Sequence, residues 1–207
     1  MQENYVITIG RQFGSGGHQI GRRLAERLGI SFYDKELIRI ASEQSGLKEE
    51  FFEQVDEKKR FSLFGGLLGS RGIASEEYNA NFYLNNESLF RIQAEVIREI
   101  AGKESALFVG RCADYILQNH PRAFHIFVCA DLAERIRRVA ERHSLTAGKA
   151  EELIAKTDKQ RAAYYNYFTS KNWGAVASYH LCINSSFLGI EETVELIRQL
   201  TGKKFAL

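Results

Sequence analysis

The sequence predicts an α/β fold with three layers, in which helices cover both faces of a parallel β-sheet. Short apolar runs typical of strands alternate along the chain with longer segments whose apolar residues recur at helical spacing. The first run also passes through a glycine-rich turn directly into a helix. No internal repeat, low-complexity tract or proline-rich linker interrupts the 207 residues, so we expect residues 1–207 to form one domain.

The predicted elements follow one another in a regular order. Strands are expected at residues 5–9, 30–33, 105–109, 123–128 and 179–184. Helices are expected from the first turn to Leu28 and at residues 35–45, 49–60, 84–101, 131–143, 153–168 (one helix or two) and 190–200. Gly29 and Gly202 are expected just beyond the first and last helices, and Asp131 is expected to cap its helix. The glycine-rich segment 61–75 breaks the pattern and is predicted to be a mobile loop, a lid or a contact surface.

Composition excludes several classes of protein. A net charge of +2 argues against a dedicated nucleic-acid-binding protein. Neither a signal peptide nor a membrane-spanning apolar run is evident, so we expect a cytoplasmic protein that does not bind membranes. The three cysteines, Cys112, Cys129 and Cys182, are scattered, and we interpret them as reduced packing residues and not as a metal or disulfide set.

The turn after the first strand contains Gly10, Gly14, Gly16 and Gly17. Glycines let a backbone approach a ligand closely, and N–H groups at a helix N-terminus favour phosphate. The alternative is a tight turn whose glycines serve packing only. The phosphate-binding pattern G-x-x-x-x-G-K-[ST] is met at Gly16 but not at three other positions. They carry Arg11 for the first glycine, Gly17 for the lysine and His18 for the hydroxyl residue.

Polar residues follow several predicted strands. Ligands of such sheets bind beyond the carboxyl ends of the strands, so the glycine turn, Asp34, Arg111 and Asp131 are expected to line one crevice. Arg111 has the fork geometry that suits phosphate, but the alternative is a salt bridge to a nearby helix, for example with Asp114. Asp34 is either a helix cap or a residue that contacts a substrate or metal.

An arginine-rich segment follows the fourth predicted strand. Arg135, Arg138 and Arg142 share one helical face because they are three and four residues apart. Such a run is commonly a solvated face. Here the polar stretch 144–152 follows it and suggests a closing flap that brings arginines onto transferring phosphates. The next helix carries Asp158 and Arg161 on one face.

Five segments together resemble a known family. ITIGRQFGSGGHQIGRRLAERLGISFYDKELI is similar to the opening of the cytidylate kinase-like proteins, which are relatives of cytidylate kinase among the P-loop nucleoside monophosphate kinases. FVGRCADYIL resembles their Gly-Arg strand end, and HIFVCADLAERIRRVAER resembles the strand that leads into their lid arginines. KTDKQRAAYYNYF and YHLCINSS resemble the helix after the lid and the last strand. The likeness covers nearly the whole chain, in the same order.

The resemblance implies a P-loop nucleotide-kinase-like fold with a core of residues 1–34, 103–131 and 176–207. It implies helical insertions at about 35–102, for the acceptor, and at about 132–175, for the lid. The implied reaction transfers the γ-phosphoryl group of ATP, with Mg²⁺, to a nucleoside monophosphate, CMP or dCMP. The expected partners are ATP and that monophosphate, and the oligomeric state stays open.

The family motifs imply roles for individual residues. Donor phosphates would be surrounded by Arg11 and the loop residues Gly14, Ser15, Gly16, Gly17, His18 and Gln19. Catalysis would fall to Arg11, Arg161 and the lid arginines Arg135 and Arg138. The acceptor would be held by Asp34, Arg39, Arg111 and Asp158. No protein metal site is expected.

Two other functions remain open at this stage. The missing lysine suggests a nucleotide-binding regulator that kept the fold and lost turnover. The segment 61–75, where an acceptor-binding region would lie, suggests a kinase for a different small acceptor.

Overall fold

The computed structural model describes residues 4–34, 40 and 75–207. The described residues form a five-stranded, all-parallel sheet in the order β2-β3-β1-β4-β5. Its strands are β1 Val6–Arg11, β2 Ser31–Tyr33, β3 Ala106–Val109, β4 Ala123–Cys129 and β5 Leu181–Asn184. Its helices are α1 Gly17–Leu28, α2 Ser75–Lys103, α3 Ala113–Ile116, α4 Leu132–His143, α5 Ala147–Thr169 and α6 Ser185–Phe205, with a short 3₁₀ turn at Val176–Ser178.

The chain divides into two compact units. One comprises Met1–Asp34 with Arg98–Leu207, and the other comprises Lys35–Ile97. The first unit contains the whole described sheet. Of the second unit, the structure describes mainly the first part of α2, where Ala94 and Val96 are buried.

Strand β1 is the centre of the sheet and is buried on both faces. Ile7 and Ile9 join a core with Ile20 and Leu24 of α1 and with residues of α6. Thr8 points to the opposite face, because side chains alternate along a strand, and it is buried as well. Continuous burial of this kind is typical of parallel strands covered by helices. The predicted three-layer α/β/α fold is confirmed.

Parallel strands bring their carboxyl ends to one edge of the sheet. β1 is in register with β3 and β4, pairing Ile9 with Val109 and with Ile126. Arg11 therefore ends β1 on the same edge as Gly110, which follows β3, and Asp34, which follows β2. This edge carries the candidate site.

Several predicted boundaries were wrong. The helix expected at residues 153–168 begins earlier, at Ala147 within the polar stretch 144–152, with Thr146 accepting a hydrogen bond from Lys149 N–H as its cap. The last helix does not end before Gly202 but continues to Phe205, whose ring packs on Tyr5 with centroids 4.7 Å apart. An interior glycine costs a helix only about 1 kcal/mol, which such packing offsets.

Other predictions lie outside the described residues. They are the helices at 35–45 and 49–60, residues 61–74 of the glycine-rich segment, and Arg39. Among the helices that the structure describes, none combines the length and apolar character that a membrane crossing requires.

Candidate functional site at the glycine loop

The turn between β1 and α1 needs glycine at two positions. Gly14 and Gly16 have φ angles of 80° and 79°, in the left-handed region that disfavours residues with a Cβ atom. Neighbouring atoms also press on both glycines. A Cβ atom on Gly14 would lie 3.0 Å from the backbone oxygen of Arg135, and one on Gly16 would lie 2.3 Å from Cδ1 of Ile190.

Side-chain hydrogen bonds hold the loop in place. Ser15 is fully buried, and its hydroxyl donates to the Gln12 carbonyl oxygen at 2.8 Å. Ser185, the first residue of α6, donates to the Ser15 carbonyl oxygen at 2.6 Å. A carboxylate oxygen of Asp158 accepts from the Phe13 N–H at 2.8 Å. The loop conformation is therefore fixed by these three hydrogen bonds, none of which uses the N–H groups at the start of α1.

This arrangement leaves several backbone donors free. Within the described parts of the chain, no acceptor is present for the N–H groups of Gly14, Gly16, His18 and Gln19. Three of them belong to the cap and first turn of α1, where N–H groups lack intrahelical partners and the helix dipole is positive. Such a set of donors suits an anion.

Arg11 runs from the loop to the end of β3. Its Cβ and Cγ pass over Gly17, and its Nη1 lies so close to Gly110 that a Cβ atom there would be 2.0 Å away. The pKa of Arg11 is lowered to about 9, mainly by burial and also by the charges of Arg161 and Arg111, which the attraction of Asp34 and Asp158 opposes. The Arg11 guanidinium is thus a cation crowded by other cations.

Asp34 faces this cluster from the end of β2. His18 Nε2 donates to one carboxylate oxygen at 3.0 Å, and Arg11 Nη2 lies 3.9 Å from the other. Burial would raise the pKa of Asp34, but the His18 hydrogen bond and the positive charges of Arg11 and Arg111 outweigh it and lower the pKa. The contact between His18 and Asp34 was not foreseen, because nothing in their spacing indicates it.

The helix α5 supplies Asp158 and Arg161, which both bond to backbone groups at the start of the loop. Asp158 forms an ion pair with the buried Arg135 of α4, whose Nε donates to the Phe13 carbonyl oxygen at 2.8 Å. Arg161 donates to the Arg11 carbonyl oxygen at 3.0 Å and stacks over the Phe13 ring. Both oxygens of Asp158 are therefore engaged within the chain, at the glycine loop.

Arg138 approaches the loop from α4. Its Nε donates to Glu134 at 2.8 Å, and its Nη1 donates to Ser185 at 3.2 Å. A Cβ atom on Gly16 would lie 3.4 Å from the same Nη1. Arg138 thus borders the free N–H groups, whereas Arg142 at the end of α4 is exposed.

Arg111 lies in a strained turn after β3. Gly110, Arg111 and Cys112 all have positive φ angles, and each such non-glycine residue costs roughly 1–2 kcal/mol. The alternative of a salt bridge with Asp114 is wrong among the described residues, because Asp114 accepts instead from the Tyr165 hydroxyl at 2.7 Å. The charge of Arg111 lowers the pKa of both Arg11 and Asp34.

Asp131 was predicted to cap α4 and to line the crevice. It occupies the cap position, but its side chain makes no capping hydrogen bond. Its carboxylate accepts from Asn184 Nδ2 at 2.8 Å, and its N–H donates to Ser186. The predicted cap position is therefore confirmed, but the carboxylate bonds to the end of β5 and not to the helix N-terminus.

Sequence reasoning missed the supporting polar residues. Gln12 reaches from the loop to the Ala130 N–H at 3.2 Å, and Ser185 holds both Ser15 and Arg138. Both lie within segments that resemble the family, Gln12 in the first and Ser185 in YHLCINSS, but neither was assigned a role. Their position directly after a strand was a second signal.

The comparisons with known proteins agree with this architecture. The family model described as the cytidylate kinase-like family matches residues 6–187. A cytidylate kinase of Staphylothermus marinus is 26% identical over 200 residues, covering 96% of this chain and 97% of that protein.

Two solved structures are also similar. An uncharacterised protein from Eubacterium ventriosum has a TM-score of 0.72 at 26% identity, covering 96% of this chain and 98% of that one. A shikimate kinase from Bacteroides thetaiotaomicron has a TM-score of 0.53 at 14% identity, covering 98% and 99%, which shows a shared fold alone. Because the family model covers most of the sequence, the chain belongs to the cytidylate kinase-like family.

Proposed function

We propose that the protein transfers the γ-phosphoryl group of ATP to a nucleoside monophosphate, with CMP or dCMP as the preferred acceptor. The observation that carries this proposal is the meeting of free loop N–H groups with an arginine cluster at one edge of the sheet. Family membership and the cytidylate kinase relative support the choice of acceptor. Because ATP is the donor, we place the activity in the cytoplasm.

The donor phosphates would lie on the glycine loop. The N–H groups of Gly14, Gly16, His18 and Gln19 would donate to phosphate oxygens, with Arg138 at the side of Gly16. Ser15 and Gly17 shape the loop, and the Ser15 hydroxyl is already engaged. Arg135 and Arg161 would act on the phosphates indirectly. Arg135 donates to the Phe13 carbonyl oxygen of the loop, and Arg161 donates to the Arg11 carbonyl oxygen.

The acceptor phosphate would lie toward the ends of β2 and β3. Among the described residues no carboxylate forms an ion pair with Arg111, and its charge lowers the pKa of Asp34. Arg39, placed at the acceptor by resemblance, is outside the described residues. Asp158 is a weaker candidate for acceptor binding, because both its oxygens serve the loop and Arg135.

The chemistry requires little covalent participation by the protein. An oxygen of the acceptor phosphate forms a bond to the γ-phosphorus, while the bond to the β-phosphate bridging oxygen breaks and its electron pair leaves with ADP. Such transfer is governed by positioning and by stabilisation of charge on the moving group. Arginines held in a crowded, partly buried cluster supply that charge without reorganising.

The side chains at the loop do not form a resident Mg²⁺ site. Mg²⁺ prefers oxygen ligands, but position 18 is a histidine whose Nε2 is committed to Asp34. The Asp34 carboxylate is in turn held between His18 and Arg11. We therefore propose that Mg²⁺ enters as part of the MgATP substrate, ligated by phosphate oxygens and water.

A second function is favoured by the glycine at position 17. Without the usual lysine, the protein would bind ATP but not turn it over, as a nucleotide-dependent regulator does. Transfer to a small acceptor other than a nucleotide is a variant of the first proposal.

The test is an assay of phosphoryl transfer from MgATP to CMP, dCMP, UMP, AMP and GMP. We expect CDP or dCDP to form fastest, and we expect Arg111→Ala to lower kcat/KM by at least about 100-fold, on the scale of losing one charge-stabilising donor. Arg198→Ala, at an exposed arginine of α6, is the matched control and should keep full activity. MgATP binding without any diphosphate product would favour the regulator instead.

A further inference from the structure

Residues 11 and 17 compete for the same space. A Cβ atom on Gly17 would lie 2.6 Å from Cβ and 3.1 Å from Cγ of Arg11. Real Cβ atoms do not approach another carbon at 2.6 Å, and the obstructing Cβ cannot swing away because it is fixed to strand β1. Any side chain that begins with a Cβ atom at position 11 therefore requires glycine at position 17, and a side chain at position 17 likewise requires glycine at position 11.

This chain has exchanged the two residues of the standard phosphate-binding pattern. The pattern G-x-x-x-x-G-K-[ST] has glycine where Arg11 stands and lysine where Gly17 stands. The exchange keeps one glycine and one cation in the pair. The positively charged side chain is therefore attached to the last residue of β1, Arg11, and not to the first residue of α1, Gly17.

The destination of the Arg11 side chain is also built for it. Gly110 has a φ angle of 77°, which favours glycine, and the Arg11 guanidinium occupies the space that a Cβ atom would take there. Arg111 and Arg161 lie close enough to repel it, and the opposing attraction of Asp34 and Asp158 is weaker. A guanidinium that lies against glycine and is repelled on balance by its neighbours indicates a place for a further anion.

We propose that Arg11 is the phosphate-contacting cation of this site and replaces the absent lysine from the strand end. This inference rests on the proposed function. Arg11 would neutralise the γ-phosphoryl group as its bond to the departing ADP breaks and its bond to the acceptor forms, and it would transfer no proton.

A purely structural role for Arg11 is less consistent with the distances. Asp34 already accepts a hydrogen bond from His18 at 3.0 Å, whereas Arg11 Nη2 is 3.9 Å away. The bond from Arg161 goes to the Arg11 backbone oxygen and would survive replacement of the side chain.

The decisive experiment exchanges the two residues back, so that positions 11 and 17 match the standard pattern while His18 is unchanged. Arg11→Gly alone should lower kcat/KM by about 100-fold or more, and Gly17→Lys alone should do the same because the two side chains collide. The double variant Arg11→Gly/Gly17→Lys should recover at least tenfold over either single variant. A double variant no better than Arg11→Gly, or an Arg11→Gly protein with full activity, would overturn the proposal.

Binding of inorganic tripolyphosphate separates this inference from the proposed function. Calorimetric titration of the same four proteins needs no turnover, and the affinities should rank in the same order. If the wild type lacks kinase activity but the tripolyphosphate affinities follow this order, the proposed function fails while Arg11 is still the phosphate-contacting cation. Equal affinities for the four proteins would refute that role of Arg11. Arg11→Met keeps the buried alkyl volume without the charge. It should unfold cooperatively on heating, as a folded protein does, and should bind tripolyphosphate at least tenfold more weakly than the wild type.

Discussion

Replacing Asp158 by alanine is expected to lower the free energy of unfolding by about 3 kcal/mol. The carboxylate pairs with the buried Arg135 and accepts from the Phe13 N–H. Removing it leaves a guanidinium without its counter-charge and a loop N–H without its acceptor, and breaking one side of a buried pair costs about 3–5 kcal/mol. The lower end applies because the Asp158 side chain is 17% exposed.

Urea denaturation measures this loss, and two variants control it. Glu151→Ala, at an exposed carboxylate on the same helix, should change stability by less than about 0.5 kcal/mol. Asp158→Ala/Arg135→Met removes both partners and should be more stable than Asp158→Ala alone, because no unpaired charge remains. An Asp158→Ala protein as stable as the wild type would show that this pair does not hold the loop.

Replacing Gly16 by alanine is expected to damage both stability and phosphate binding. The φ angle of 79° costs an alanine about 1–2 kcal/mol, and Ile190 must move to admit the methyl group. The loop relieves this strain by shifting, which moves the N–H groups that face the anion. We expect a loss of about 2 kcal/mol in unfolding and at least tenfold weaker binding of MgATP.

Gly148→Ala is the matched control for that substitution. Gly148 lies in α5, is exposed and has no atom near the position of an added Cβ. Alanine there should stabilise the helix by up to about 1 kcal/mol and leave MgATP binding unchanged. Wild-type affinity for MgATP in Gly16→Ala would mean that the phosphates do not contact this loop.

Much of the fold could be predicted because its signals are local. The apolar run before Gly10 indicates a strand, and the four-residue spacing of Ile20, Leu24 and Leu28 indicates a helix. Each signal can be interpreted without knowing the rest of the chain. The parallel sheet followed from the alternation of elements. The wrong boundary at Gly202 depended on a distant contact, the packing of Phe205 on Tyr5, which no local pattern contains.

The candidate site could be predicted in outline but not in its pairings. Position after a strand predicted the glycine turn, Asp34, Arg111 and Asp131 at one edge of the sheet. The partners of these residues are set by three-dimensional proximity, so the contact between His18 and Asp34 and the pair of Arg135 with Asp158 were not foreseen. The collision between residues 11 and 17 likewise depends on the exact path of the loop.

The most direct test of the account is to follow backbone amide signals of the ¹⁵N-labelled protein during titration with MgATP. The central claim is that the free N–H groups of the glycine loop hold the phosphates. It predicts that the signals of Gly14, Gly16, His18 and Gln19 shift the most, while Ala123 at the opposite edge of the sheet stays in place. Saturating MgATP that leaves all four loop signals unmoved would contradict the account.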